Sequence, residues 1–389
     1  MLRLSLKLRW LKPVLRDLNA NCFSNISGRV MKARTQMENL QNLCSQNLGN
    51  ESLREMEKEA VRVFMELSAT EESFKKQKSR VTWLALGDQN TKLFHRKVRS
   101  NRARNKILSL VTAKGLRLDK PEEVQLEIIQ FYKGLLGTKF LQRQDARASL
   151  QQIIQRKVPV HMCGELVKPV LVEEITAALQ AIKGDKAPGP DGFSSSFFQQ
   201  NWEIVGQDLI VAVQHFFHKG FMLKEWNSTT LTLVPKMPSL SMAKDFRPIA
   251  CCNVVYIVIA NRMQSVLPLV IGPTQSVFIK GRSIVDNVLL THELIRNYHR
   301  DVGLPRCAIK IDLMKAYDSV DWNFLLDTMD AMGFPSLFIG WVKECVTTPM
   351  YSAMLNGGLV GYFPGAKGLR QGDPISPLSG IVHLSCYVC

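Results

Sequence analysis

The stretch Cys307 to Trp322, CAIKIDLMKAYDSVDW, constrains the chain most, because its apolar period changes within one short run. Cys307, Ile309 and Ile311 alternate with Ala308 and Lys310, the period of two expected of a strand with one face in a core. Val320, Phe324, Leu325 and Met329 then recur at helical spacing, and Asp318 followed by Asp321 resembles an N-cap with an acidic first turn. The expectation is strand, short turn, helix, with Asp312 at the strand's carboxyl end. A carboxylate held there on a rigid element suits a hard divalent cation such as Mg2+, which takes oxygen ligands and often only one or two protein carboxylates besides substrate phosphates. The plainer alternative is a surface turn aspartate.

Charge narrows the partners. The net charge is +16, and residues 1 to 110 hold 22 Lys and Arg against 10 Asp and Glu. Nucleic acid is the expected partner of such asymmetry, since phosphates repeat at fixed spacing and release counterions when neutralised. A solvated helix face is the commoner cause of an ordinary charge run. The leucines of Met1 to Pro13 are broken by basic residues, so neither a secretory signal nor a membrane-spanning stretch is expected, while an Arg-rich organelle transit peptide stays a minor alternative. The nine scattered cysteines form no disulfide-like framework, which points to a reducing, intracellular location. Cys386 and Cys389 make one C-x-x-C with no second pair, short of the four ligands a structural zinc site wants.

The amino-terminal third is expected to be helical. Lys32 to Lys78 is rich in helix formers, with Leu40, Leu43, Leu53, Met56, Ala60, Val63 and Leu67 as an apolar stripe interrupted near Leu48, Gly49 and Asn50. A helical hairpin is the natural reading, and coiled-coil self-association its alternative. Lys75 to Lys106 holds eleven Lys and Arg and a single acid, Asp88, with Trp83, Phe94 and His95 interleaved. Basic groups that hold phosphates and rings that stack on bases have this composition, and Arg96, Lys97, Arg99, Arg102 and Arg104 are the candidate template contacts. The aromatics serve equally well as helix packing.

Further on, Lys106 to Val111 with a turn at Lys114 and Gly115 reads as a short strand or hairpin, and Pro121 to Leu136 as a helix. Val172 to Ile182 is a helix with an acidic first turn, running into the rigid loop APGPDGF. Phe197 to Phe217 reads as one helix burying Trp202, Ile204, Val205, Leu209, Val213 and Phe216. Thr230 to Lys236 alternates as a strand ending on a lysine, and Gly357 and Gly358 mark a hairpin turn between Tyr351 to Leu355 and Leu359 to Phe363.

Six blocks carry a resemblance. KAPGPDGF (Lys186 to Phe193), TLTLVPK (Thr230 to Lys236), DFRPIACCN (Asp245 to Asn253), QSVFIKGRSIVDNVLL (Gln275 to Leu290), KIDLMKAYDSVDW (Lys310 to Trp322) and GLRQGDPISPL (Gly368 to Leu378) stand in the order and near the spacing of non-LTR retrotransposon reverse transcriptases. The chain resembles the plant LINE type, and Ser79 to Val98 is similar to the linker that precedes the polymerase there. The resemblance implies an α+β fold: a helical basic region over residues 1 to 110, a mixed region over 111 to 225, and right-hand polymerase fingers with an incomplete palm over 226 to 389. It implies an RNA-directed DNA polymerase working on an RNA template, a DNA primer and deoxynucleoside triphosphates with Mg2+, without a membrane and in the nucleus.

The resemblance also assigns residues. Asp312 becomes the first metal-binding carboxylate, with the backbone carbonyl of Leu313 as a second ligand. Lys236 and Arg247 would neutralise the incoming triphosphate, one as a point charge and one by bidentate contact; each alone could be an ordinary surface cation. Tyr317, which unaided reads as core, matches the aromatic that excludes a 2′-hydroxyl. Gln371 and Gly372 would lie where nucleotide and template meet, the glycine permitting close backbone approach. Lys280 and Arg282 would contact the nucleic-acid backbone. Three departures carry expectations of their own. About one helical turn is missing after CCNVVY, so the fingers are expected to be mispacked. No Asp-Asp pair follows Asp312 and no thumb is recognisable, so the isolated chain is expected to be inactive. The upstream endonuclease domain that such elements usually carry is expected to be absent. The alternative to an enzyme is a non-catalytic RNA- or DNA-binding remnant or pseudogene product.

Overall fold

The computed structural model of the chain describes residues 1–47, 49–79, 91–139, 146–184, 188–189, 191–236, 241–250, 253–296, 298, 307, 309 and 315–385. The chain divides into two compact units, one of Leu6–Lys106 and one of Met1–Ser5 with Ile107–Cys389. The expected division at residues 225 and 226 therefore falls inside the larger unit. Taken together the described residues are mixed α+β, mostly helical, with a four-stranded mixed sheet in the larger unit.

Among its described residues the smaller unit holds four α-helices and a π-helical turn at Asn19–Phe23: α1 (Leu2–Leu18, whose first residues belong to the larger unit), α2 (Ile26–Gln46), α3 (Glu51–Ser79) and α4 (Thr91–Asn105). α2 and α3 pair as an antiparallel hairpin. Ile26, Val30, Ala33, Met37, Leu40 and Cys44 on α2 meet Leu53, Glu57, Ala60, Phe64, Leu67 and Glu71 on α3, all wholly or partly buried. Both sets advance by alternate steps of four and three, the seam of a two-helix coiled coil. Leu43, Met56 and Val63, expected in the stripe, lie one position off that seam and are exposed. The seam's carboxylates have neighbours on α2: the Ser27 hydroxyl donates to the Glu71 carboxylate, and burial together with the adjacent Glu57 carboxylate pushes the Cys44 thiol up.

The larger unit opens with a minimal hairpin, β1 (Leu110–Val111) and β2 (Arg117–Leu118), then α5 (Pro121–Leu136), where Pro121 pre-sets the first turn and Glu122 and Glu123 meet the positive helix end. Helices α6 (Arg147–Ile153), α7 (Val160–Val167) and α8 (Val172–Gln180) follow. The single helix expected over Phe197 to Phe217 is two, α9 (Ser195–Gln200) and α10 (Trp202–Lys219), broken at Asn201. Ile204, in the first turn after that break, is exposed rather than buried. A short α11 (Lys224–Asn227) delivers β3 (Ser228–Pro235), which turns back as β4 (Phe246–Ile249). Then come α12 (Val254–Val270), α13 (Ile284–Ile295), α14 (Trp322–Ala331), α15 (Ser336–Thr347), β5 (Met350–Leu355), β6 (Gly358–Pro364) and α16 (Ile375–Ser385).

In the main sheet the order is β4-β3-β5-β6, with β3 parallel to β5 and both outer pairs antiparallel. Thr229, Leu231 and Leu233 alternate inward on β3, and α5 covers this face through Val124, Ile128, Tyr132 and Leu136 against Leu231, Phe246, Tyr351 and Phe363. Asn356 and Gly357 turn β5 into β6, both with positive φ (49° and 95°), as a two-residue hairpin requires. The Asn356 side chain also bonds the amide and carbonyl of Ile107 at 2.9 and 2.7 Å.

The mispacking expected at the fingers is not found in α12, inside which the join from Ile257, Val258 and Ile259 to Ala260 falls. Val254 to Ala260, on both sides of that join, are buried or partly buried, and Met263, Val266, Leu267 and Val270 continue the buried set, while Leu269 near the far end is exposed. A run that is apolar all round, as Val254 to Ala260 is, presents a suitable side chain to each neighbour whatever its phase, so the loss of a turn there is tolerated. The one cation of α12, Arg262, is buried and fully engaged: it clasps Glu174 at 2.8 and 2.7 Å and donates to the Leu166 and Lys168 carbonyls at 3.0 and 2.8 Å. By contrast, no side chain of α13 is buried. Among the described residues no helix is long and apolar enough to cross a membrane.

Candidate nucleotide-binding site

The segment Gly368 to Asp373 ties two distant parts of the chain together. On one side it zips onto the turn before α14: the Leu369 amide donates to the Tyr317 carbonyl at 2.7 Å and the Gly368 amide to Val320 at 2.8 Å. Trp322, at the start of α14, donates its indole N–H to the Gly368 carbonyl at 2.7 Å. On the other side Gln371 extends β4 as a parallel bridge to Ile249, its carbonyl accepting from the Ala250 amide at 2.7 Å. Glycine is required at the crossing point. Gly372 has φ +98°, and a Cβ there would stand 2.5 Å from the Ala250 carbonyl oxygen.

A buried polar cluster fixes this segment from beneath. Arg370 pairs with Asp373 at 3.0 Å, donates to Asn227 and Thr229 side chains at 2.8 and 3.0 Å and to the Cys345 carbonyl at 3.2 Å, and lies 4.4 Å from the Tyr256 ring centre. Asn227 bonds onward to Thr348 at 2.7 Å and accepts from the Tyr256 hydroxyl. Asp373 accepts the Ile375 amide at 2.9 Å, opening α16. Sequence reasoning missed Arg370, Asp373 and Asn227. A buried ion pair looks like any polar turn in a sequence, and only the adjacency of Arg370 to Gln371 offered a hint.

Of the residues expected to bind nucleotide, the sheet register brings Lys236 and Arg247 to one face. Arg247 pairs with Val234, and Lys236 stands two residues beyond Val234, one past the end of β3, where its amide bond to the Asp245 carbonyl continues the pairing; side chains two apart share a side. Both are exposed. The Lys236 ammonium donates to the Lys244 carbonyl at 2.6 Å, and its amide donates to Asp245 at 2.9 Å. Asp245 accepts the Met242 and Ser241 amides at 2.9 and 3.1 Å, which hold its carboxyl below the usual range with help from Lys244 and Lys236.

Tyr317 sits half-buried in the turn before α14, its ring over Gly380 of α16, where a Cβ would come within 3.1 Å of the ring. Burial pushes its hydroxyl pKa up. The neighbouring Asp318 has its carboxyl pushed up by burial, opposed by the charges of Lys315 and Lys236. Lys236, on the sheet, thus acts electrostatically on the turn that carries Tyr317. The N-cap of α14 is Asp321, which accepts the Phe324 amide at 2.8 Å; Asp318 precedes it in the turn.

The remaining candidates are dispersed. Lys280 is exposed, whereas Arg282 turns its guanidinium inward onto the end of α12, donating to the carbonyls of Gln275 at 2.7 Å and of Pro268 and Ile271 at 3.0 Å. Its side chain acts there as a helix C-terminal cap. Arg96, Lys97, Arg99 and Arg104 are exposed on α4 in the other unit; the Arg102 side chain lies outside the described residues. Asp312 and Leu313 also lie outside them, as does most of the expected strand Cys307 to Ile311. Among the described residues no three His, Cys, Asp or Glu side chains converge, so these alone do not make a metal cradle. Lys236 and Arg247 are exposed cations at the β3–β4 hairpin, Gly372 lies against Ala250 just past β4, and Tyr317 is half-buried in the turn bonded to Leu369.

Residues 234–384 match the family described as reverse transcriptase (RNA-dependent DNA polymerase). The chain is 28% identical over 319 residues, 80% of its length, to the transposon TX1 uncharacterized 149 kDa protein of Xenopus laevis, of which this covers 24%. It is 25% identical over 49% of its length to the Pol polyprotein of the type-2 retrotransposable element R2DM of Drosophila melanogaster, covering 18% of that protein. A probable RNA-directed DNA polymerase from transposon BS of Drosophila melanogaster is 23% identical over 71% of the chain, which covers 31% of it. The chain therefore spans less than a third of the length of these relatives. Residues 234–384 carry a reverse transcriptase domain of the non-LTR retrotransposon kind.

Proposed function

We propose that residues 226 to 389 are the fingers and part of the palm of a plant LINE-type reverse transcriptase, preceded by a basic helical linker, and that their described surface binds an incoming deoxynucleoside triphosphate opposite an RNA template. The observation that carries this reading is the shared side of Lys236, just past β3, and Arg247 on β4, with the Ile249–Gln371 bridge continuing the same β4 edge. Two cations suit a triphosphate by charge-assisted contact. A glycine at 372 leaves the backbone open to close approach. Tyr317, seated on Gly380, would stand under the sugar and reject a 2′-hydroxyl.

The reaction proposed is attack of a primer 3′-hydroxyl on the nucleotide's α-phosphate, with pyrophosphate leaving. Mg2+, held from Asp312 and the Leu313 carbonyl, would supply the charge neutralisation. These 389 residues contain no adjacent Asp pair, so we propose that the chain alone binds its substrates without turning them over. The test is a ternary-complex measurement on a primer annealed to an RNA template with Mg2+. The next complementary deoxynucleotide should slow release of the duplex, while the matching ribonucleotide and a mismatched deoxynucleotide should not. Equal effects of all three would contradict the reading, and templated incorporation lost in Asp312→Asn would show that turnover survives.

A second reading rests on α4. Its outward Arg96, Lys97, Arg99 and Arg104 form a basic ridge suited to RNA phosphates independent of catalysis. Salt-sensitive RNA binding that survives Asp312→Asn and is lost on charge reversal of α4 would favour a pure binding role.

A further inference from the structure

The α2–α3 hairpin leaves one flank open. Beside its seam runs a groove with two adjoining hollows of about 370 and 540 Å3, floored by Leu40 and Ala60 and rimmed by Met31, Leu43, Met56 and Val63. Met31 is 70% exposed and Met56 54%. Methionine and leucine side chains left in water along a groove between two helices are the flank of a larger helical bundle.

Charge says what covers it. Lys32 lines the groove from α2, and Glu59 lines it from α3, with Glu66 one heptad further on the same side. Arg62 bridges Glu59 and Glu66 at 2.6 and 2.9 Å, which leaves the α3 ridge net negative. The hairpin's own pairing sets the levels: Ser27 opposes Glu71, and Cys44 opposes Glu57. Lys32 is therefore level with Leu67 and beside Glu66, and Leu43 is level with Met56.

We propose that two copies of the chain associate through this groove, related by a two-fold axis parallel to the helices, so that α2 of each copy lies on α3 of its partner. That axis sets Lys32 against the facing copy's acidic ridge and Leu43 against its methionine ridge, twice over by symmetry. A two-fold axis across the helices would instead place α3 on α3 and oppose like carboxylates. The 21 residues of α2 span roughly 30 Å. Two helices side by side are roughly 18 Å wide, giving roughly 1,100 Å2 buried in total, the lower edge of specific interfaces. The association is therefore concentration-dependent rather than obligate.

The test is sedimentation velocity of the purified full chain, freed of nucleic acid, from about 1 to 100 µM, where an interface of this size is partly formed. A monomer–dimer shift is expected. Met56→Lys should weaken it at least tenfold, Lys32→Glu about fivefold, and Lys32→Glu combined with Glu66→Lys should recover most of that loss. Far-UV circular dichroism confirms that each variant keeps its helices, which is expected because the substituted positions face solvent. A chain that stays monomeric throughout, a dimer indifferent to Met56→Lys and to the charge reversal, or association seen only when RNA is added would each overturn the proposal.

Discussion

The amide of Leu369 donates to the carbonyl of Tyr317 at 2.7 Å, so two sequence blocks some fifty residues apart are held in backbone contact. Through that bond and its neighbour from Gly368 to Val320, the segment carrying Gln371 cannot move without the turn carrying Tyr317. The segment's other end is bonded to Ala250, just past β4. The candidate nucleotide surface is thus assembled by backbone hydrogen bonds, with its side chains projecting from a fixed frame.

Gly372→Ala should break that frame. The new methyl group would meet the Ala250 carbonyl oxygen at 2.5 Å and sit at φ +98°, a region costing non-glycine residues about 1–3 kcal/mol. Urea denaturation should show a loss of at least that size, and hydrogen exchange at the Ala250 amide should accelerate. An unchanged midpoint would mean that the segment relaxes freely.

Arg370→Met should be more damaging than its position in a turn suggests. Both partners of the Arg370–Asp373 pair are buried, at 5% and 3% side-chain exposure. Removing one partner of such a pair costs about 3–5 kcal/mol because a desolvated charge is left behind. Arg370→Met with Asp373→Leu should recover part of the loss in the same denaturation experiment.

Asp318 supplies a pH prediction. Burial raises its carboxyl pKa, so the folded protein holds this proton more tightly than the unfolded chain does. Stability from this group is present below the ordinary aspartate value and falls as pH rises through the raised one. Asp318→Asn should therefore stabilise the protein at neutral pH, and the gain should shrink as pH drops into the ordinary carboxylate range. Thermal denaturation across pH 3 to 7 reads this; a gain independent of pH would assign the effect to something other than the charge.

Much of the frame was legible in the sequence, because it depends on period and turn chemistry. The strand expected over Thr230 to Lys236 and found as β3, and the helix opening at Pro121, follow from local signals, whereas the hairpin between β5 and β6 was read one residue late, at Gly357 and Gly358 instead of Asn356 and Gly357. The register that sets Lys236 and Arg247 on one face was not legible, since it depends on how many residues the turn between β3 and β4 absorbs. Nor was the inward course of Arg282: its partners are carbonyls freed at the end of α12, and a carbonyl leaves no trace in residue identity. Leu43, Met56 and Val63 show a further limit, because a seam with a 3.5-residue period and a stripe with a 3.6-residue period share most of their members.

On α4, converting Arg96, Lys97, Arg99 and Arg104 together to Gln should weaken RNA binding and flatten its salt dependence. Each lost phosphate contact lowers the slope of log K against log salt by about 0.7 for single strands. Filter binding at several salt concentrations measures both. Weaker binding with an unchanged slope would mean that these side chains do not touch phosphate.

The most direct measurement is equilibrium titration of the purified chain with dTTP and Mg2+ on a primed poly(A) template, run beside Lys236→Ala, Arg247→Ala and the double variant. If the two cations on the β3–β4 face hold the triphosphate, each single change should weaken nucleotide binding about tenfold or more, as expected for a charge-assisted contact. The double change should abolish measurable binding, with RNA–primer affinity preserved. Nucleotide affinity indifferent to both substitutions would contradict the assignment of this surface as the nucleotide site.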